Sequence, residues 1–233
     1  MGAWRFNFSS SEDWAAATAD ALVVEIRDAL SRKAKVLVAI AGGRTPSLIL
    51  PLLQRRPLPW SRLRFIPTDD RLVEDGHPAR NLDRLREWLA PALAAGASLG
   101  ALECLEATEQ PDVVMLGLGA DGHVASIFPA GEGMDGALTQ ARSTARTVPS
   151  PLPPEAPFPR ITLTMAALLA PRRVIISASG ADKKDAYDRA IAAGSRSSPM
   201  AILLEQDKTP LSVFLCAPPV PRPTAPTRQE ATA

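Results

Sequence analysis

The chain has 233 residues, 46% hydrophobic and 22% charged, with 26 Lys plus Arg against 25 Asp plus Glu and a net charge of +1. That length supports one sizeable core, and the balanced charge argues against a general nucleic-acid or anionic-membrane binder, which needs a basic excess. No run approaches the ~18 apolar residues of a membrane span, and MGAWRFNFSS lacks the apolar core of a signal peptide. Two cysteines, Cys104 and Cys216, make neither a disulfide framework nor a metal cluster. The expectation is a reduced, cytoplasmic chain without metal or other cofactor.

Ser9 followed by Glu12 has the spacing of a capping box, so a helix is predicted to start there. Leu22, Ile26, Ala29 and Leu30 form one helical face, and the helix should end near Lys33. Val36 to Ile40 is a continuous apolar run, rich in β-branched residues, as in strands buried on both faces of a parallel sheet. Further strands are expected at 63–66, 113–116, 174–177, 201–204 and 213–216, with helices at 46–54, 82–95, 165–170 and 181–193. Alternating strands and helices predict an α/β fold, a three-layer α/β/α arrangement around a mostly parallel, Rossmann-like open sheet. Residues 149–159 hold six prolines in eleven and cannot be helical. They read as a stiff connection inside one domain spanning 1–216, because a strand signal resumes at Arg160. Residues 217–233, rich in Pro, Ala and Thr without periodicity, read as a disordered tail.

Ligands of open α/β sheets sit beyond the carboxyl ends of strands, which selects four loops. In Ala41-Gly42-Gly43-Arg44-Thr45-Pro46, two glycines precede Thr45 as a candidate N-cap and Pro46 at the first helical position, a combination suited to an anion. In Thr68-Asp69-Asp70-Arg71, either aspartate is a candidate for sugar hydroxyls or acid/base work, and Arg71 for a phosphate. Gly117-Leu118-Gly119-Ala120-Asp121-Gly122-His123 matches G-x-G-x-x-G, but Pro129, Gly131 and Gly133 break the long helix that a dinucleotide site requires. What remains is a loop presenting Asp121 and His123, an imidazole suited to act as a base near neutral pH. Gly180-Ala181-Asp182-Lys183 again pairs a strand end with a helix start and puts Lys183 in the first turn. Gly96-Ala97-Ser98-Leu99-Gly100 fits a serine-hydrolase pattern, yet the residues before Ser98 look helical, whereas that motif needs a buried strand. His77 reads as a surface residue.

Taken together these loops resemble the 6-phosphogluconolactonase family over about residues 10–216. The strongest piece is PDVVMLGLGADGHVASIFP at 111–129, supported by AGGRTP at 41–46, TDDRLV at 68–73 with Asn81 downstream, RITLT at 160–164 and GADK at 180–183. The resemblance implies metal-free hydrolysis of 6-phospho-D-glucono-1,5-lactone in the sugar-phosphate isomerase-like α/β fold. His123 is similar to the family's general base and Asp121 to the acid beside it. Gly42, Gly43, Arg44, Thr45, Asp69, Arg71, Arg160 and Lys183 fall at its substrate positions. The partner implied is a small sugar-phosphate lactone, not nucleic acid or membrane, and the chain is expected to be a monomer or weak homodimer. The sequence departs from the family's pattern at Arg44, Asp70 and Arg80. A related reading is the glucosamine-6-phosphate deaminase, but its glutamate falls at Phe128 here. A non-catalytic sugar-phosphate binder would have no need of the Asp121 and His123 pair.

Overall fold

The apolar runs become the centre of one parallel sheet. The computed structural model describes residues 3–154, 156–194 and 197–218. In chain order its first half comprises β1 (Ala3–Phe8), α1 (Ser11–Leu30), β2 (Val36–Ile40), α2 (Thr45–Leu53), β3 (Leu63–Pro67), β4 (Asp69–Arg71), α3 (Asn81–Trp88), α4 (Ala90–Ala94), β5 (Ser98–Leu99) and β6 (Val113–Leu116). The second half comprises β7 (Gly131–Glu132), α5 (Met134–Thr139), β8 (Thr144–Pro149), β9 (Arg160–Leu163), α6 (Met165–Leu168), β10 (Val174–Ser179), α7 (Ala181–Ala193), α8 (Pro199–Glu205) and β11 (Leu211–Cys216). Seven strands pair in the order β1-β11-β10-β6-β2-β3-β5, every neighbour parallel.

Successive side chains of a strand face opposite sides, and here both sides are covered. Leu37, Ala39, Val114, Leu116, Val174 and Ile176 point into one core, with residues of α5 to α8. Val36, Val38, Ile40, Val113, Met115 and Ile175 point into the other, with α1 to α4. That is why these strands carry no polar alternation. The winding reverses between β2 and β6: the chain leaves β2 toward β3 on one side and, after β6, next joins this sheet at β10 on the other. The loops at the carboxyl ends of β10, β6, β2 and β3, four adjacent strands, therefore meet at one crevice.

A second, antiparallel sheet has the order β4-β9-β8-β7. The strand signal at Arg160 is its β9, while β4, β7 and β8 are short or polar, so no apolar run announces them. Arg71 of β4 stands opposite Arg160 of β9 in its register.

Three expectations change, and one strand carries no sequence signal. Residues 201–204 are helical, inside α8, because Ser198 caps that helix by accepting from Ala201 N at 3.2 Å and Pro199 takes the first position. Four apolar residues alone do not separate strand from buried helix. The helix predicted over 82–95 is two, since Pro91 has no N–H and its ring clashes with the carbonyl four residues back. The N-cap of α1 is Ser10, not Ser9, with its hydroxyl accepting from Asp13 N at 3.2 Å, and the helix ends at Leu30. The first strand, β1, lies on the sheet edge with Trp4 and Phe6 exposed, so its sequence lacks a buried-strand signature. Of the expected tail, residues 219–233 lie outside the described residues.

Candidate active site

The crevice is a cleft of about 300 Å³ lined from all four selected loops, by Gly42, Gly43, Arg44 and Thr45, by Asp69 and Arg71, by Gly119 and His123, and by Lys183. Asn81, Ala125, Ser179 and Asp182 complete much of its wall.

The loop after β6 folds on itself. Gly119 N donates to His123 O at 2.9 Å and Gly122 N to Gly119 O at 3.0 Å. Gly122 needs its glycine because φ is +85°. Gly119 needs it for space: a Cβ there would lie 2.6 Å from Asp121 Oδ1 and closer still to the His123 ring. The G-x-G-x-x-G spacing thus serves imidazole packing, and the next residues make a tight turn, with Val124 bridging Ile127, instead of a long helix.

Asp121 holds the imidazole. Its Oδ1 lies 2.5 Å from His123 Nδ1 and accepts from His123 N at 3.1 Å. Burial works to raise the Asp121 carboxyl, but the hydrogen bond and charge of His123 outweigh it and hold the group down at about 2. The His123 side chain remains 32% exposed. Its ring packs 4.4 Å from that of Phe128, so residue 128 forms an apolar wall beside the imidazole.

The two aspartates after β3 do different things. Asp69 lines the cleft, and its Oδ2 accepts from Ser126 Oγ at 2.6 Å. Ser126 sits directly after Ala125, whose φ is +48°, so this hydroxyl ties the turn that follows the histidine to the β3–β4 junction. Asp70 faces away and is 2% exposed. It accepts from Arg71 N at 2.8 Å, Asn81 N at 2.6 Å and Leu82 N at 3.0 Å. It is therefore the anchor of the α3 N-terminus and not a substrate contact. Burial raises its carboxyl above the ordinary range against those three bonds. Asn81 donates to Asp69 O at 2.8 Å and packs so tightly on Gly42 that a Cβ there would overlap its amide.

Cationic groups and free helix ends fill the rest. Arg44, not Thr45, is the N-cap of α2, in helical conformation and without a side-chain cap bond, so Thr45 lies in the first turn. The first turn of α2 carries no acidic residue; α7 has Gly180 as its N-cap, also without a side-chain cap, with Asp182 in its first turn. Uncapped N–H groups of this kind favour an anion. Lys183 reaches the cleft from the first turn of α7, 3.4 Å from Asp182. Arg71 lines the cleft while its Nη1 donates to Ala79 O at 2.6 Å. Arg160 does not reach it: only 2% exposed, it stands behind Arg71 across the β4–β9 pair. The resemblance placed it among the substrate contacts, and β9 is buried on both faces, which keeps it away. Asn81 and Ser126 were the wall and anchor residues least visible beforehand. Asn81 appeared only as part of a motif, and Ser126 carried no chemical signal, since its partner is 57 residues away. Ser98 lies on the short β5 at the sheet's far edge, preceded by a helical stretch.

Among the described residues, no three His, Cys, Asp or Glu groups are placed to hold a metal ion, and no helix is long and apolar enough to cross a membrane.

Fold and cleft define a doubly wound α/β protein with its site at the crossover of the parallel sheet and an imidazole–carboxylate pair among cations. A family model described as glucosamine-6-phosphate isomerases/6-phosphogluconolactonase matches residues 9–107 and 90–211. The 6-phosphogluconolactonase of Rhizobium meliloti is 30% identical over 232 residues, covering 89% of this chain and 96% of its own. That of Neisseria meningitidis is 27% identical over 231 residues, covering 92% and 99%. A crystal structure of a 6-phosphogluconolactonase from Shewanella baltica superposes with a TM-score of 0.82 at 28% identity, covering 92% of this chain and 98% of that one. The chain belongs to the 6-phosphogluconolactonase family.

Proposed function

We propose that the protein hydrolyses 6-phospho-D-glucono-1,5-lactone to 6-phospho-D-gluconate, the lactone step of the oxidative pentose phosphate pathway. The names of its relatives support the reaction. The observation that carries the mechanism is His123, tied to Asp121 at 2.5 Å and lining the same cleft as Arg71 and Lys183.

A δ-lactone is an activated ester, so activating water and stabilising one oxyanion are enough. An imidazole that donates from Nδ1 to a carboxylate keeps its lone pair on Nε2. In this reading His123 Nε2 takes a proton from water as its oxygen bonds to C1 of the lactone. Asp121 orients the ring and stabilises its cation. The uncapped amides of the Gly42 and Gly43 loop face the tetrahedral oxyanion. Collapse breaks the bond from C1 to the ring oxygen, and His123 returns the proton to that oxygen. Arg71, Lys183 and the α7 N-terminus hold the phosphate, which fixes the reacting carbon against the base.

General-base assistance is worth about 10²- to 10⁴-fold in rate. Stopped-flow hydrolysis of the phosphorylated lactone, with the spontaneous rate subtracted, is expected to show kcat for His123→Ala reduced by that factor. Wild-type enzyme should accelerate the phosphorylated lactone far more than the unphosphorylated one. Undiminished turnover by His123→Ala would refute the base assignment, and equal acceleration of both lactones the phosphate site.

A further inference from the structure

Among the described residues, Arg160 is a buried cation without a carboxylate in ion-pair contact. Its side chain is 2% exposed. Nη2 donates to Ala156 O at 2.7 Å, while Nη1 is buried and has no partner among the described residues. Directly across the strand pair, Arg71 also has a buried, unpartnered nitrogen, Nε. Among the described residues, neither guanidinium has a carboxylate within 4 Å. Asp69 and Asp70 act on Arg160 from farther off, and each is engaged elsewhere, Asp69 by Ser126 and Asp70 by the α3 N-terminus. Burial first, and then the charge of Arg71, depress Arg160 to about 10, which leaves it charged at neutral pH. Arg84 feels Arg71 in the same way.

A buried charge without a carboxylate in direct contact is costly, and Asp69 and Asp70 offset this one only from farther off. It persists here in a second row, behind an arginine that faces a cleft. We infer that Arg160 is a specificity-determining positioning residue: without touching the ligand, it keeps Arg71 short of counter-charge, so that the dianionic phosphoryl group of a sugar phosphate completes the pair. This rests on the phosphate assignment made for the cleft, and adds that discrimination for the phosphoryl group resides in two stacked rows of cations. A unit charge one side chain behind the site, at an effective dielectric constant of about 20, is worth roughly tenfold in anion affinity.

The test uses the full chain and two readouts, calorimetric binding of inorganic phosphate and lactone kinetics. Arg160→Gln is expected to weaken phosphate binding about tenfold and to raise KM for the phosphorylated lactone by the same factor, with kcat changed less than twofold. Arg160→Lys, which keeps the charge, should stay within about threefold of wild type in both. A folded Lys variant that loses affinity tenfold, or a Gln variant that binds phosphate normally, would overturn the inference. Should the Gln variant not fold, Arg160→Met, which also removes the charge, takes its place in both assays with the same expected and overturning results. Phosphate binding that depends on Arg160 in a protein without lactone turnover would support the inference while removing the lactonase reading. Turnover that prefers the phosphorylated lactone regardless of residue 160 would do the reverse.

Discussion

At residue scale the site depends on two small distances. The contact of Asp121 with His123 is the first, and it links the site to acid stability. The Asp121 carboxyl is depressed from 3.8 to about 2 in the folded chain. Its contribution is thus complete above pH 3.8 and disappears as pH falls toward 2. The side chain is 49% exposed, so screening reduces that contribution to about 1 kcal/mol. Chemical denaturation at a series of pH values should show wild type losing about 1 kcal/mol more than Asp121→Asn between pH 4 and pH 2; parallel curves would contradict the depressed carboxyl. The second distance is the space at Gly119. A methyl group there would overlap the His123 ring, and a misplacement of about 1 Å can cost 10²-fold in rate. Gly119→Ala is expected to lower kcat by about that factor with an unchanged circular-dichroism spectrum, because the strain falls on a loop. Normal turnover in this variant would mean that the ring position is not critical.

At the scale of elements, short polar pieces do the positioning. The β3–β4 junction sends one aspartate into the cleft and the next into the start of α3. Asp70 accepts from three backbone N–H groups, those of Arg71, Asn81 and Leu82. Removing it leaves buried donors unpaired, at about 2 to 3 kcal/mol. Asp70→Ala should lose that much in urea denaturation and also raise KM, since Arg71 and Asn81 both hang on the same junction. A loss below 0.5 kcal/mol, to order of magnitude, would show that water replaces the carboxylate. The loop by itself leaves Asp69 and Asp70 as equivalent candidates and the resemblance favours Asp69; the alternation of β4 separates them physically, because neighbouring residues of a strand face opposite ways. Likewise the 201–204 segment reads as a strand from its four apolar residues, and the Ser198 cap with Pro199 at the first position makes it helix instead.

For the whole molecule, the order of the strands makes the site. Four loops far apart in the chain converge because β10, β6, β2 and β3 are neighbours, and the reversal of winding between β2 and β6 opens the crevice there. The sequence by itself determined the buried strands, through unbroken apolar runs that only a sheet covered on both faces requires, and it determined the four loops, through glycines and charges placed directly after those runs. Those are local properties, written in hydrophobicity and backbone freedom. Tertiary structure alone decided the antiparallel β4-β9-β8-β7 sheet, the link from Ser126 to Asp69 and the position of Arg160 behind Arg71. Each depends on residues tens of positions apart meeting in one register, and no pattern along the chain encodes which polar side chain will be turned inward when they do.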